Sequence, residues 1–511
     1  MLKKNQKVLM KDKIVVWLDS NLMQYCACYY LQKEIDADFY AIINVTNKPR
    51  IFFENQTLVN FKKIWFFHDN TLPIKTPDLK YLSSFEKNHK IDLWKLAVND
   101  RIFYNFNDFY HFSKNEILSI LENECRFFEN VLNEINPNFV IMHEPYQHHD
   151  ETFFELCKSK NIKTMAFYFS TFGYNCEISE NVHYADDISN IEQKTKYRSF
   201  PELVEHYESL KVSDRIKKQN VDPFGNKSNI ALAAFDYLFK TKNDNTKTHY
   251  SYFGHSKIRA LSNAISGSIK TKSRWNFIEK NLVKNIDLNQ KFVYYPLHIE
   301  QERSTLIVTP FYTDDIEFIK NIIKSLPIDY TLYVKEHPSQ LTRHWRDKKV
   351  YEELMSIPNV TVIHPHVSSL DLVKNCSLAI TKSGTVALEA AFYEKPAITC
   401  ADFDYTIIQS IERLHSIEEL PKLISNCLEK QFDSKILDEY VSFKEKNTFS
   451  FDGTEFEINS AKKFFHGGRL ADVDITNEKM SEFLKENEEN LKILAKAFVN
   501  KINYFKEKSN L

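Results

Sequence analysis

Three short stretches in the second half of the chain hold residue types that handle phosphates, sugars and protons. The first is Thr381-Lys382-Ser383-Gly384-Thr385, between an apolar run and a helical one. Backbone N–H groups at a helix start, with small hydroxyl side chains, suit a phosphate. Gly384 would let the backbone come close to a ligand. Glu389, one turn further on, could accept hydrogen bonds from a ribose. The second stretch is Lys335-Glu336-His337-Pro338. A Lys and a His at a strand mouth suit a mono- or diphosphate, and Pro338 biases His337 towards an extended backbone. The third is His298-Ile299-Glu300-Gln301-Glu302-Arg303-Ser304-Thr305, where a His and two carboxylates leave one strand together. Carboxylates there could bind sugar hydroxyls or transfer protons. Each stretch taken alone also has a bland reading: a capped turn, a structural His beside a Pro, or a solvated charged loop.

The first half offers Asp19-Ser20-Asn21 after one apolar run, and His143-Glu144 after another, followed by His148, His149 and Asp150. Asp19, Glu144 or Asp150 could bind an acceptor or act as a base from an opposing domain. Helix capping accounts equally well for Asp19 and Asp150. The run HEPYQHHD has neither the HExxH nor the facial-triad spacing, so no metal site is expected.

Elements must bring these loops together. IVVWLD (14–19), ADFYAIIN (37–44), KIWFFH (63–68), NFVIM (138–142) and IKTMAFYF (162–169) read as buried strands. Helices are expected at 21–34, 114–135 and 150–160; Ser113 and Glu116 form a capping box for the second. Strand and helix alternate again from 291: FVYYPL, YTLYVKEHP, NVTVIHP, LAITKSG and KPAITC are strands. DDIEFIKNIIKSL, HWRDKKVYEELMSI, SSLDLVKNC and TVALEAAFYE are the helices between them. This alternation predicts parallel sheets covered by helices on both faces. The expected organisation is an N-terminal Rossmann-like, acceptor-side domain (1–180) and a helical insertion or connection (181–290). A C-terminal Rossmann-like domain (291–415) and a helical C-terminal extension (416–511) follow. Two such domains facing a cleft make an α/β, GT-B-like fold, with ligands beyond the carboxyl ends of the strands.

Composition narrows the classes. The chain has 511 residues, 43% of them apolar, enough for large cores. Lys+Arg is 67 and Asp+Glu 69, so no bulk charge points to nucleic acid. Glycine is only 8 of 511, which disfavours a glycine-rich dinucleotide or P-loop site. The eight cysteines are scattered without a CxxC pair, the usage of reduced cytoplasmic thiols. The basic N-terminus lacks a signal-type apolar stretch, and no run approaches the roughly 20 apolar residues of a spanning helix. A lysine-rich amphipathic helix at about 476–506 either docks peripherally on the inner face of a membrane or packs across the two domains.

YYPLHIEQERST, LYVKEHPSQ and ITKSGTVALEAAFYEKPAIT occur in that order over about 290–405. Together they resemble the capsule polysaccharide biosynthesis family, which includes the bacterial β-Kdo transferases. The resemblance implies a GT-B fold and a CMP-activated ulosonic acid as donor. It implies that His337 contacts the CMP phosphate and that Ser383 and Thr385 bracket it. The family's Gln-x-Glu motif falls on Glu300-Gln301-Glu302: Glu302 keeps the glutamate, but Glu300 stands at the glutamine position. That departure leaves another 2-keto acid sugar, or another nucleotide, open.

The expected activity is therefore metal-independent glycosyl transfer in capsule or surface polysaccharide synthesis, with no cofactor beyond the nucleotide-sugar donor. The expected partners are that donor and a glycan or lipid-linked glycan acceptor. Catalytic candidates are Glu144, Asp19 and Glu302; donor-binding candidates are Lys335, His337, Ser383, Gly384, Thr385, Glu389 and Glu300. The competing readings are a CDP-polyol phosphotransferase, a UDP-sugar 2-epimerase, and a non-catalytic nucleotide-sugar-binding scaffold subunit.

Overall fold

A computed structural model describes residues 11–104, 106–173, 175–210, 227–242, 244–342 and 346–509. The basic stretch 1–10, the middle of the expected insertion (211–226) and the first residues of the helix expected from His344 lie outside them.

Two six-stranded sheets form the framework. The first contains β1 (Asp12–Asp19), β2 (Ala37–Asn44), β3 (Phe61–Phe66), β4 (Phe139–His143), β5 (Lys163–Phe169) and β6 (Cys176–Ser179). Its order is β3-β2-β1-β4-β5-β6. All neighbours are parallel except β6, which runs antiparallel to β5 and which sequence alone did not indicate. The second contains β7 (Phe292–Pro296), β8 (Thr331–Lys335), β9 (Val360–Ile363), β10 (Leu378–Thr381), β11 (Ala397–Thr399) and β12 (Ile411–Arg413). Its order is β12-β11-β10-β7-β8-β9, all parallel. The architecture is α/β and GT-B-like.

Strand periodicity explains how unbroken apolar runs serve two faces. On β1, Val15 and Trp17 pack with Phe128 and Phe153 on one face, while Ile14, Val16 and Leu18 pack on the other. That other face is covered by the end of the chain: Phe456, Met480, Leu494 and Phe498 belong to the same core as β1. The expected single helix at 476–506 is two, Asn477–Glu486 and Glu488–Ser509, broken at Asn487. The last helix buries its apolar side against helix Met23–Glu34 and strands β5 and β6.

The chain between the sheets is likewise shared. Ile188, in the turn Ile188–Asn190, and Leu203, on helix Phe200–Ser209, join the core of the second sheet with Phe392 and Tyr440. Tyr250 instead joins the core of the first sheet. Helix Lys257–Asn281 then returns the chain, burying Ile278 under the second sheet. The helix expected from His344 starts at Lys348, because Asp347 caps it by accepting Lys349 N–H at 2.9 Å.

A buried lysine ties the two halves. Lys444, on helix Lys435–Asn447, donates to Asp404 at 2.8 Å and pairs with Glu177 of β6. Tyr440 also donates to Asp404, at 2.9 Å.

If the last helix completes the first core, Phe498→Ala, at 1% exposure, should cost about 3–5 kcal/mol in urea unfolding. Ile493→Ala on the same helix, at 43% exposure, should cost under about 1 kcal/mol. Equal effects at the two positions would contradict the packing.

Candidate functional site

β10, β7 and β8 lie side by side at the centre of the second sheet, so the loops leaving their carboxyl ends converge. The β10 loop is drawn tight. Gly384 N–H donates to Thr381 Oγ1 at 2.9 Å, and a Cβ on Gly384 would lie 2.8 Å from that same oxygen. Ser383 N–H donates to His298 Nε2 at 3.2 Å, and Thr381 Oγ1 lies 3.0 Å from it. Nε2 is thus an acceptor, which puts the ring proton on Nδ1. Burial, reinforced by Lys382, pushes the His298 pKa down to about 3, so the ring is neutral. Its Nδ1–H has no hydrogen-bond partner among the described residues.

A network of buried charges locks the three loops together. Asp315 accepts from Tyr295 Oη at 2.7 Å and Arg346 Nη1 at 3.3 Å, and Lys382 Nζ lies 2.8 Å away. Burial opposes the charge of Asp315, yet Lys382 and Arg346 hold its carboxyl far below the usual range. Arg346 reaches Glu336 at 3.0 Å and donates to the His298 carbonyl at 2.7 Å. Glu336 also accepts from Tyr351 Oη at 2.5 Å and His337 N–H at 2.7 Å.

The donor-side candidates sit on this base. Ser339 N–H donates to His337 Nδ1 at 3.2 Å, leaving Nε2 as the proton-bearing nitrogen of the neutral ring. Lys335 is buried and donates to Ser369 Oγ at 2.8 Å; burial lowers its pKa to about 8. Ser383 is buried and its hydroxyl donates to the Ser304 carbonyl at 2.8 Å. Thr385 is exposed and donates to Glu389 Oε1 at 2.8 Å, and burial raises the pKa of Glu389. Glu300 is half-buried, 3.9 Å from Arg346, and burial raises its pKa too. Gln301 turns the chain in the left-handed region, φ 64°, and Glu302 precedes the short helix Arg303–Leu306.

The first sheet supplies the facing wall. Asp19 ends β1 and His143 ends β4, on neighbouring strands. Asp19 accepts from Asn21 N–H at 2.9 Å and Tyr146 Oη at 3.0 Å, and pairs with His143 Nε2 at 2.8 Å. His143 Nδ1 lies 2.6 Å from the Glu144 carbonyl. Burial opposes a charge on His143, but Asp19 overrides it and lifts the pKa to about 9. Glu144 pairs with His183 at 2.8 Å. Arg303, from the second sheet's loop, crosses to Glu144 at 3.4 Å and to Glu151 at 3.9 Å. Burial acts to raise the Glu144 pKa, but His183 and Arg303 bring it to about 2, so it is a fixed anion. Burial dominates at Glu151 and raises its pKa to about 7. A cavity of about 360 Å³ lies between the halves, lined by Asn99 and Phe106 on one side and His298, Glu300 and Asp315 on the other.

Sequence reasoning thus named most of the loops but not the residues that brace them. Arg346 and Asp315 carry no motif; only their burial reveals them. Glu151 and Arg303 stood beside named residues without a reason to single them out. Asp150 faces His149 at 3.2 Å and accepts Tyr146 N–H at 3.3 Å. Glu124, His148 and His149 have ligand-type atoms within 4.8 Å of one another. Both ring nitrogens of His148 are already engaged, by Asp100 at 2.9 Å and Glu124 at 3.1 Å. Burial opposes its charge, yet these two carboxylates raise its pKa to about 10, making it a structural cation.

One family model matches in part. Residues 308–418 match a family described as a protein of unknown function (DUF354), so the match covers the β8–β12 half of the cradle. No curated protein is significantly similar to the chain. Among solved structures, the chain is similar to the Methanocaldococcus jannaschii UDP-GlcNAc 2-epimerase in complex with UDP-GlcNAc and UDP. That likeness has 16% identity over 88% of this chain and 98% of the other, with TM-score 0.24. It is also similar to Thermosulfurimonas dismutans KpsC, a β-Kdo 2,7 transferase, at 9% identity over 62% and 89%, TM-score 0.27. The Escherichia coli ADP-heptose LPS heptosyltransferase II matches at 9% identity over 82% and 98%, TM-score 0.23.

His148 yields a pH test. Its folded pKa is raised, so its stabilisation is full below the unfolded value near 6.5 and is lost as pH rises towards about 10. The loss is up to about 1.4 kcal/mol per pH unit. Urea unfolding at about pH 6 and pH 9 should show this decline in wild type. His148→Gln should be less stable at the lower pH and should decline less.

Proposed function

We propose that the chain is a glycosyltransferase of bacterial capsule or surface polysaccharide synthesis. The donor would be a nucleotide sugar, a CMP-linked ulosonic acid such as Kdo, and the acceptor a glycan or lipid-linked glycan. One observation carries this reading. A cradle of neutral donors and cationic side chains on one sheet faces carboxyl groups of opposite protonation tendency on the other, with Arg303 reaching across.

In this reading His337 Nε2 and Lys335 meet the donor's single phosphate, and the Ser383 and Thr385 hydroxyls turn from the Ser304 carbonyl and Glu389 to bracket it. Preorganised donors of this kind stabilise the charge that develops as the leaving group departs, and they do so without calling on a metal. Glu389 accepts from the ribose. Glu300 and Glu302 lie towards the donor sugar, and His298 Nδ1–H points a neutral donor at the same region. In a retaining course, which the resemblance favours for Kdo donors, a carboxylate of the facing wall displaces CMP first and the acceptor hydroxyl then displaces that carboxylate; in an inverting course the acceptor hydroxyl attacks the anomeric carbon directly. The bond from that carbon to the phosphate oxygen breaks, and CMP leaves with the electron pair. The hydroxyl proton passes to a carboxylate of the facing wall. Glu151, with a pKa near the operating pH, suits that task better than Glu144, which is held as a paired anion. Asp19 acts through His143, fixing its charge and orientation.

A thermal-shift panel of CMP, CDP, UDP, UMP, GDP and ADP tests the donor assignment. CMP should raise the melting temperature by mass action, and His337→Ala should abolish the shift. A shift only with UDP or GDP would overturn the CMP reading in favour of another transferase or an epimerase. No shift at all would favour the scaffold reading, and phosphate appearing in the product would favour the polyol phosphotransferase.

Once turnover is established, Glu151→Gln should lower kcat by about 10²–10⁴ and remove the rate limb near pH 7. An unchanged rate and pH profile would exclude Glu151 as the base.

A further inference from the structure

The terminal helix cannot offer an apolar face to a membrane. Leu491, Leu494, Phe498 and Ile502 are in the first core, and Lys501 and Lys508 pair with Asp186 and Asp187. The unpartnered apolar face is elsewhere, on the helix that returns the chain to the second sheet.

Helix Lys257–Asn281 is held at both ends. Arg259 donates to the Phe109 and Asp108 carbonyls, each at 2.7 Å, and buried Arg274 donates to the Arg346 carbonyl at 2.8 Å. Between these anchors Ile258, Leu261, Ile265 and Ile269 recur at spacings of three and four, one face of a helix. That face is bare: Ile258 is 82% exposed, Ile265 63% and Ile269 66%. A second exposed apolar element meets its start. Lys257 Nζ donates to the Leu238 carbonyl at 2.7 Å, and there the Phe235 and Phe239 rings meet at 5.0 Å, tilted by 42°, with Phe239 73% exposed. Large apolar patches of this kind mark interaction sites.

Charge identifies the occupant. The helix carries six Lys or Arg and one acidic residue, Glu279. Glu279 is already paired, with Lys284 at 2.5 Å and His364 at 3.2 Å. With Arg259 and Arg274 turned to the protein, Lys270 and Lys272 remain exposed at the end of the isoleucine row. A second copy on this face would set lysines against lysines, and the helix's one carboxylate, Glu279, is already paired. An anionic lipid surface answers both features: apolar side chains enter the acyl boundary while lysines meet the headgroups. No described helix is long and apolar enough to cross a membrane, so the contact is peripheral.

We propose that the Ile258–Ile269 face, with Phe235 and Phe239, docks the protein on an anionic lipid bilayer. The inference stands independently of the glycosyl-transfer reading.

Co-sedimentation of the full chain with phosphatidylcholine vesicles, with and without phosphatidylglycerol, tests it. Wild type should partition to the phosphatidylglycerol vesicles and not to phosphatidylcholine alone, and salt should weaken that binding. Ile265→Asp with Ile269→Asp, and separately Lys270→Glu with Lys272→Glu, should each lower partitioning at least tenfold. Both pairs are surface changes, so unchanged melting temperatures show that the fold is retained. Ile258→Ser is a milder variant, expected to lower binding less. Wild type left in the supernatant, or binding that neither pair alters, would overturn the proposal. So would sedimentation velocity showing a dimer that Ile265→Asp with Ile269→Asp dissociates, since the occupant would then be a second copy.

Discussion

The second half of the molecule depends on a buried set of charges: Asp315, Lys382, Arg346 and Glu336. The members come from the three connections that leave the central strands: Asp315 after β7, Glu336 and Arg346 after β8, and Lys382 after β10. Removing ions from water is costly, and a set like this is tolerated only when every member is paired. All four charges are matched, and Tyr295, Tyr351 and the His298 carbonyl take up remaining hydrogen-bond capacity. The effect is positional. Without it the loops carrying His298, His337 and Ser383 would have no common reference.

The first half is organised around a group of carboxylates whose partners differ. Carboxylates predominate there, and their neighbours sort them. Asp19 holds His143 charged, and Glu144 is held anionic by His183 and Arg303. At Glu151 burial outweighs the pull of Arg303, 3.9 Å away, and it keeps its proton to about pH 7. Separation of pKa values within one cleft is the pattern that acid–base chemistry requires. Arg303 makes the cleft a single electrostatic unit, because it belongs to one sheet and satisfies carboxylates of the other.

The halves are also interleaved covalently. The segment after β6 packs on the second sheet, Tyr250 packs on the first, and the last helices return to β1. Motion between the halves must therefore bend these crossings, of which the anchored helix Lys257–Asn281 is the longest.

The alternation of β-branched runs with amphipathic helices determined two parallel sheets from sequence alone, since a strand buried on both faces must be apolar throughout. The capping box at Ser113 and the order of the strand-mouth loops were equally local, and therefore legible. Strands β6 (CEIS) and β12 (IER) were not, because each carries charged residues and lacks the apolar run that marked the equally short β9, β10 and β11. Nor was the break at Asn487, because a change of direction there costs the local pattern nothing. What only the tertiary structure decided is which charges are paired. Nothing adjacent in sequence says that Arg346 lies under His298 or that Arg303 faces Glu144. Nor does it say that the terminal helix is buried while Ile258–Ile269 is bare. Pairing and burial are long-range properties, set by which surfaces the two sheets bring together.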